Sequence, residues 1–303
     1  MTRSAGLWAV AVVVTLAAAA WQRRTGPSYP YEAVVPLGGT PVRVSLLRSH
    51  LSTSAARVAV PAPDTVASGA LFWRRYPTGE PFTVVPLRRE GDALAAALPV
   101  QPPAGKVEYF LEVADGGAPV RIPEGVAVVL RYCGPVPAYI LAPHIAIMFL
   151  GLLVGARAGL GAALGDGEQR TLVLTALAAF TFGGLVLGSI TQKHAFGAWW
   201  TGVPFGWDLT DNKTLLMWIG WAVAGQALAR RRTFARWLVV AAAVLMLAAY
   251  VVPHSAKGSQ LDYTRVPSPS ARSSGSTTSR CHVFLPRRAG PGSLHGAVRP
   301  VRS

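Results

Sequence analysis

The sequence predicts a mixed architecture: an N-terminal signal or anchor segment, an extracytoplasmic β-sandwich, and then a four-helix transmembrane bundle. Three observations lead there. The chain has 303 residues, 51% hydrophobic and only 14% charged, which is too apolar for an ordinary soluble protein. Residues 27–133 hold short runs that alternate apolar and polar side chains between Pro and Gly turns. Residues 134–263 hold four longer apolar segments flanked by Trp and Tyr.

Residues 1–24 open with Arg3 and an apolar run from Leu7 to Ala20 that ends in four consecutive alanines. A basic start, a short apolar core and a small-residue site describe a secretory signal, either cleaved or kept as an anchor. The run is shorter than the ~20 residues a spanning helix needs. Arg23 and Arg24 just after it weigh against clean export.

In residues 27–133 the strand candidates are 42–46, 70–74, 82–85, 107–113 and 126–130. Pro77-Thr78-Gly79, Pro102-Pro103-Ala104-Gly105 and Asp115-Gly116-Gly117 punctuate them. Period-two runs with turn signals every ~8–12 residues predict an antiparallel sandwich. The stretch 102–113 resembles the late strands of a fibronectin type III or immunoglobulin-like domain. No nucleophile–base pair or metal constellation occurs here, and His50 stands alone as a surface residue. This part reads as a binding or spacer domain, and the chain shows no mark of a stand-alone enzyme.

Gly134-Pro135-Val136-Pro137 reads as a stiff hinge into the membrane. The four apolar segments are 138–154, 171–192, 214–228 and 237–252. The loop between the last two carries Arg230, Arg231, Arg232 and Arg236, which the positive-inside rule makes cytoplasmic. The loop 156–170 is then cytoplasmic as well. The β-domain, the loop 193–213 and the segment after Val252 lie outside. The expected location is the inner (cytoplasmic) bacterial membrane, crossed several times.

The net charge of +15 invites a nucleic-acid reading, but its distribution excludes one. The excess sits in the arginine loop and in a tail with Arg265, Arg272, Arg280, Arg287, Arg288, Arg299 and Arg302 and no acid after Asp262. No basic face with interleaved aromatics occurs elsewhere, so the lipid bilayer is the expected partner and nucleic acid is not. Cys133 and Cys281 form neither a zinc motif nor a covalent haem attachment motif. Residues 264–303 are Ser-, Pro-, Gly- and Arg-rich without periodicity and are expected to be disordered. They read like a GC-rich gene translated out of frame.

The stretch that stands out is 194–218. Trp199, Trp200 and Trp207 lie with Asp208 and Lys213 between two apolar segments, and His194 stands at the entrance. Single tryptophans there belong to the membrane boundary; three beside charged groups suit a large planar ligand. The topology puts His144, His194 and His254 at the same outer face, and histidine near a membrane is uncommon enough to mark a site. Imidazole is a good axial ligand for haem iron, and two trans histidines suit a six-coordinate haem b, so the three histidines of this face make haem the expected planar ligand. Trp199, Trp200 and Trp207 would pack on the porphyrin, Lys213 would hold a propionate, and Asp208 would fix an indole or accept from Lys213.

The order of parts resembles the haem-handling superfamily of cytochrome c assembly proteins, over about residues 138–263. There an external Trp-rich loop lies between two helices and is flanked by external histidines. Phe196-Gly197-Ala198-Trp199-Trp200 is similar to the first half of that loop, and Trp207-Asp208, Lys213-Thr214 and Trp218 to the second. Gly188-Ser189-Ile190 before it and Met217-Trp218-Ile219 after it also resemble the family. His144, with Met148 nearby, and His254-Ser255 fall where the flanking histidines would. Residues 201–206 separate the two halves, Leu209-Thr210-Asp211-Asn212 replaces the usual approach to the Lys, and the β-domain is foreign to the family. The resemblance implies haem docked on the loop, ligated by the two histidines, in cytochrome assembly or electron transfer alongside other membrane proteins. Two other readings compete. In one, the β-domain is a membrane-anchored binding module. In the other, Asp208, Asp211, Lys213 and His194 line a small transporter.

Overall fold

A computed structural model describes residues 3–64, 66, 68–114, 118–167, 169–252 and 261–265. It opens with helix α1 (Arg3–Thr25). Eleven strands follow: β1 (Tyr31–Leu37), β2 (Thr40–Leu46), β3 (Ser49–Leu51), β4 (Ala56–Pro61), β5 (Ser68–Arg75), β6 (Thr83–Pro86), β7 (Arg88–Glu90), β8 (Ala93–Leu98), β9 (Lys106–Ala114), β10 (Val120–Ile122) and β11 (Val128–Cys133). The rest is helical: α2 (Ala138–Leu164), α3 (Arg170–Ala179), a π-helical stretch (Phe180–Leu187), α4 (Gly188–Phe196), α5 (Leu209–Ala229) and α6 (Ala235–Val251).

The strands form three sheets. One is the β1–β2 hairpin, one has the order β4-β8-β7, and the largest runs β3-β11-β9-β5-β6 with β10 beside β9. Alternation sends one face of each inward. Val44 and Leu46, Val58 and Val60, Leu94 and Leu98, Val107, Tyr109, Leu111 and Val113, and Leu130 and Tyr132 meet in one buried core. The candidates 42–46, 70–74 and 107–113 lie within β2, β5 and β9, while 82–85 starts one residue before β6 and 126–130 two residues before β11. One pairing departs from the expected antiparallel pattern: β3 runs parallel to β11, with His50 opposite Tyr132. The turn candidate at 115–117 lies outside the described residues.

Helices α2, α3, α5 and α6 bury a second core, which includes Leu152, Val173, Phe180, Met217, Trp221, Val239 and Met246. Small residues allow the close approach. A Cβ on Gly155 would stand 2.7 Å from Met246 Sδ and 2.8 Å from Trp221 Cζ2, and one on Gly159 would strike Ala243. Three helices are long and apolar enough to cross a membrane: α1, α2 and the continuous helix Arg170–Phe196. Helix α6 is apolar but only 17 residues long, and α5 starts with Asp211, Asn212 and Lys213.

Two expectations need correction. The loop expected at 156–170 is mostly helix. Its Ala- and Gly-rich sequence carries α2 on to Leu164, where Gly165 in the left-handed region closes it. The N-terminal segment is not a short run but a helix of 23 residues, packed into the bundle through Leu7, Ala11 and Thr15. Its ends are tied as well. Arg157 donates to Ser4 Oγ at 3.3 Å, Trp21 Nε1 to the Val251 carbonyl at 2.8 Å, and Gln22 Nε2 to the Tyr250 carbonyl at 2.8 Å.

Gly155→Ala overpacks the α2–α5–α6 contact, and we expect it to lower the stability of the detergent-purified protein by about 1–3 kcal/mol. Thermal unfolding checks this, with the unobstructed Gly6→Ala as the neutral control.

Candidate functional site

The loop between α4 and α5 is built around one carboxylate. Helix α4 ends at Gly197, whose φ of 84° is the left-handed closing turn that favours glycine. Helix α5 begins at Asp208, whose carboxylate accepts from the N–H groups of Thr210 (2.8 Å) and Asp211 (3.4 Å). Asp211 then reaches back into the loop. One of its oxygens accepts from Thr201 N–H (2.6 Å), Gly202 N–H (3.0 Å), Thr201 Oγ1 (3.2 Å) and Gln192 Nε2 (3.0 Å). Asn212 Oδ1 accepts from Val203 N–H at 2.8 Å. The loop's backbone donors, which have no helix or sheet to pair with, are met by two side chains of the next helix.

The clamp leaves the aromatic side chains outside. Trp207 is 87% exposed, Phe205 81% and Trp199 58%. Trp200 is half-buried and donates to the Val203 carbonyl at 3.1 Å. Lys193 donates to the Gly197 carbonyl at 2.8 Å and lies 6.0 Å from the Trp199 ring centre. The loop is a firm mount for an exposed aromatic rim.

The two described histidines of the predicted site sit in different settings. His144 is half-buried on α2, and its Nδ1 lies 2.8 Å from the Gly183 carbonyl in the π-helical stretch. A carbonyl only accepts, so Nδ1 carries the proton and Nε2 keeps its lone pair. The tight glycines of that stretch face other side chains: a Cβ on Gly183 would stand 2.9 Å from Ile147 Cγ2 and one on Gly184 2.6 Å from Thr214 Cγ2, whereas one on Gly188, at the start of α4, would only touch His144 Cε1 at 3.5 Å. His194 is exposed at the end of α4. His254 lies outside the described residues, as do Ser255 and Cys281. Cys133 is a free thiol, 3.9 Å from Ser49 Oγ.

Asp208 caps a helix, and Lys213 Nζ donates to the Val252 carbonyl at 2.7 Å, tying α5 to the end of α6. The structure adds two residues the sequence reading passed over, Lys106 and Arg131. They face each other directly across β9 and β11, on the side of the sheet away from its core. That side would ordinarily be wet. Here the helices cover it, and the exposures are 7% for Lys106, 7% for Arg131, 9% for Asp208 and 8% for Lys213. The Arg131 guanidinium lies 5.4 Å from the Phe196 ring centre.

The same joint holds backbone to backbone. Gly134 N–H donates to the Ala195 carbonyl at 2.8 Å, and the His194 carbonyl fills the space of a Gly134 side chain. The expected hinge at 134–137 is therefore a packed contact. Beyond α6 the chain returns to the β-domain: Tyr263 Oη accepts from Lys106 N–H and donates to the Lys106 carbonyl, both at 2.8 Å.

Charge crowding shows in the ionisation. Burial, then the facing Arg131, pull Lys106 down to about 8, while Asp208 pulls the other way. Burial likewise pulls Arg131 below its usual range, against the opposing pull of Cys133 and Asp208. Asp208 also acts on Lys213, so one carboxylate serves three cations.

No protein-family model matches the chain, and no curated protein matches it.

Two outcomes are expected. Asp211→Ala leaves buried donors on Thr201, Gly202 and Gln192 unmet, at about 1–3 kcal/mol each. Limited proteolysis checks this by new cleavage within 197–207 while helical content stays. Lys106 binds its proton less tightly folded than unfolded, so its burial penalty is present in full below about pH 8 and relieved toward 10.5. The thermal midpoint of the wild type is therefore expected to gain on that of Lys106→Met between those pH values.

Proposed function

We propose that this is an integral membrane protein that binds haem b at its outward-facing end, in haem handling, cytochrome assembly or electron transfer. The observation that carries the reading is the state of His144. An imidazole that donates Nδ1–H to a backbone carbonyl has its ring held and its Nε2 lone pair presented, which is how protein histidines are prepared for a metal. The π-helical stretch that receives the bond is a form often found at functional sites. A half-buried histidine, with Met148 four residues on in the same helix, fits an axial ligand for haem iron. His254 is the proposed second ligand. Trp199 and Trp207 offer exposed faces for a porphyrin. The bound haem would supply one-electron chemistry; the chain would supply the ligand and the aromatic surface.

The spans are taken as α1, α2 and Arg170–Phe196, completed by α5 and α6 as a bundle. Arg230, Arg231, Arg232 and Arg236 lie on the cytoplasmic side and the β-domain outside. The strand order supports an immunoglobulin-like or fibronectin type III-like class for the β-domain. The trio β4-β8-β7 faces β11-β9-β5 as the two sheets of such a sandwich do. The joint at Gly134, Arg131 and Tyr263 weighs against a freely tethered binding module, because the domain is fixed to the helices at several points. The use of Asp211 in the loop clamp likewise weighs against a transport pathway through that residue.

The expected result is a Soret band in protein purified in detergent from haem-replete cells. It should be lost or shifted in His144→Ala and in His254→Ala, with folding checked by circular dichroism. Protein that stays colourless when reconstituted with excess haemin would overturn the reading.

A further inference from the structure

The end of the bundle away from the aromatic loop carries charge of one sign. Helix α5 starts at that loop and runs 21 residues, about 30 Å, to Ala229. Arg230, Arg231 and Arg232 follow it, and Arg236 is the second residue of α6. All four are exposed, and among the described residues none of their side chains makes an ion pair or a hydrogen bond. No acid occurs between Asp211 and Asp262. The connection from α2 to α3 lies at the same end, and there Asp166 is already paired with Arg157 at 2.7 Å, while Glu168 lies outside the described residues. Exposed Arg3 and Arg170, at the starts of α1 and α3, add to the same sign.

The backbone of this loop is fixed, and it is fixed in a form that disfavours one of its arginines. Arg232 N–H donates to the Ala227 carbonyl and Arg231 N–H to the Leu228 carbonyl, both at 3.0 Å, which is the pair of bonds that closes a helix with a left-handed residue. That residue is Arg231, with φ at 49°. Helices usually place glycine there, because a Cβ is strained in this region and glycine is not. The helix dipole favours cations after the last turn of α5. It does not explain an arginine at the strained position, since Arg230 and Arg232 on either side already supply that charge. The loop also exposes Phe234 and Trp237, and the Arg236 guanidinium lies 4.6 Å from the Trp237 ring centre. Aromatic rings beside cations at the rim of spanning helices suit the layer where headgroups meet acyl chains.

We propose that the loop between α5 and α6 is a docking surface for anionic phospholipid headgroups, with Arg230, Arg231 and Arg232 on the phosphodiester and Phe234 and Trp237 seated at the top of the acyl chains. The guanidinium fork matches phosphate oxygens. A run of basic residues directly after a membrane helix draws anionic lipid to it. The occupant follows from charge and place: the unpaired cations stand where two apolar helices leave the bilayer, so the anions within their reach are those of the lipids themselves. The inference shares with the haem reading only the placement of the helices in a membrane. It concerns the opposite end of the bundle, so the Soret experiment and the one below fail separately.

The test uses the full chain in phosphatidylcholine nanodiscs with and without phosphatidylglycerol, followed by thermal unfolding at low and raised salt. Phosphatidylglycerol is expected to raise the midpoint by about 2–6 °C, and salt to shrink that increment. Arg231→Gly removes a charge while leaving the left-handed turn relaxed. It is expected to unfold no lower than wild type in phosphatidylcholine and to gain less from phosphatidylglycerol, a combination that a purely structural role for Arg231 does not produce. Arg231→Gly combined with Arg232→Gln is expected to lose most of the increment and to bind short-chain phosphatidylglycerol in nonionic detergent about 10–30-fold more weakly. A wild type indifferent to phosphatidylglycerol overturns the proposal, as does a folded double variant that keeps the full response. Inorganic phosphate that reproduces the effect in phosphatidylcholine overturns it too, in favour of a soluble anion. The wild-type comparison needs no variant, so a substitution that fails to fold leaves the test in place.

Discussion

The docking of β11 onto the end of α4 constrains everything else where the β-domain meets the helices. Gly134 is hydrogen-bonded to Ala195, and the carbonyl of His194 occupies the place where its side chain would be. Only glycine permits that approach. The contact turns the outer face of the large sheet toward the helices, and Lys106 and Arg131, which alternation would place in water, are buried as a result. It also brings Phe196, in the last turn of α4, beside the Arg131 guanidinium, where the negative end of the helix dipole favours a cation. Tyr263 then ties the returning chain to both backbone groups of Lys106, so the strand end that carries the lysine is held from a second side.

The loop between α4 and α5 follows from a different requirement. Backbone groups at the edge of an apolar bundle must find partners, and a loop rich in Gly and Pro provides few of its own. Asp211 and Asn212, one turn into α5, supply them. The acidic and amide residues between Trp207 and Lys213 are thus mainly architectural, and the tryptophans are free to face outward because the mount beneath them is polar and saturated. A group that accepts four hydrogen bonds is poorly suited to passing a proton or an ion.

Much of the fold could be read from residue patterns, and the reasons for the exceptions are physical. The five strand candidates alternate clearly, and each overlaps a strand, with 82–85 and 126–130 starting early. Strand β8, Ala93–Leu98, has a sequence that favours helix by propensity, and it is a strand only because β4 and β7 pair with it on both sides. Helix α2 outran its expected end because Ala favours helix while adding little hydrophobicity, and Gly155 and Gly159, poor helix formers by themselves, are held there by close packing against α5 and α6, so a window tuned to apolar runs stops near Val154. At the site, Trp199 and Trp207 were visible as unusual residues, and the structure leaves both exposed. Lys106 and Arg131 were not visible, because a basic residue on the polar side of a strand looks ordinary until something covers it. The one available signal was their direct opposition, and that requires the register.

The π-helical stretch and the charged joint place two unlike chemistries on one scaffold. At Phe180–Leu187 the wider winding lets Gly183 accept both Gly188 N–H and His144 Nδ1, so a backbone irregularity is converted into a fixed imidazole tautomer. At the joint, Lys106 and Arg131 lie opposite each other on neighbouring strands and are covered beside the start of α5. Neither arrangement is required for packing alone, since apolar side chains at these positions would satisfy the same burial.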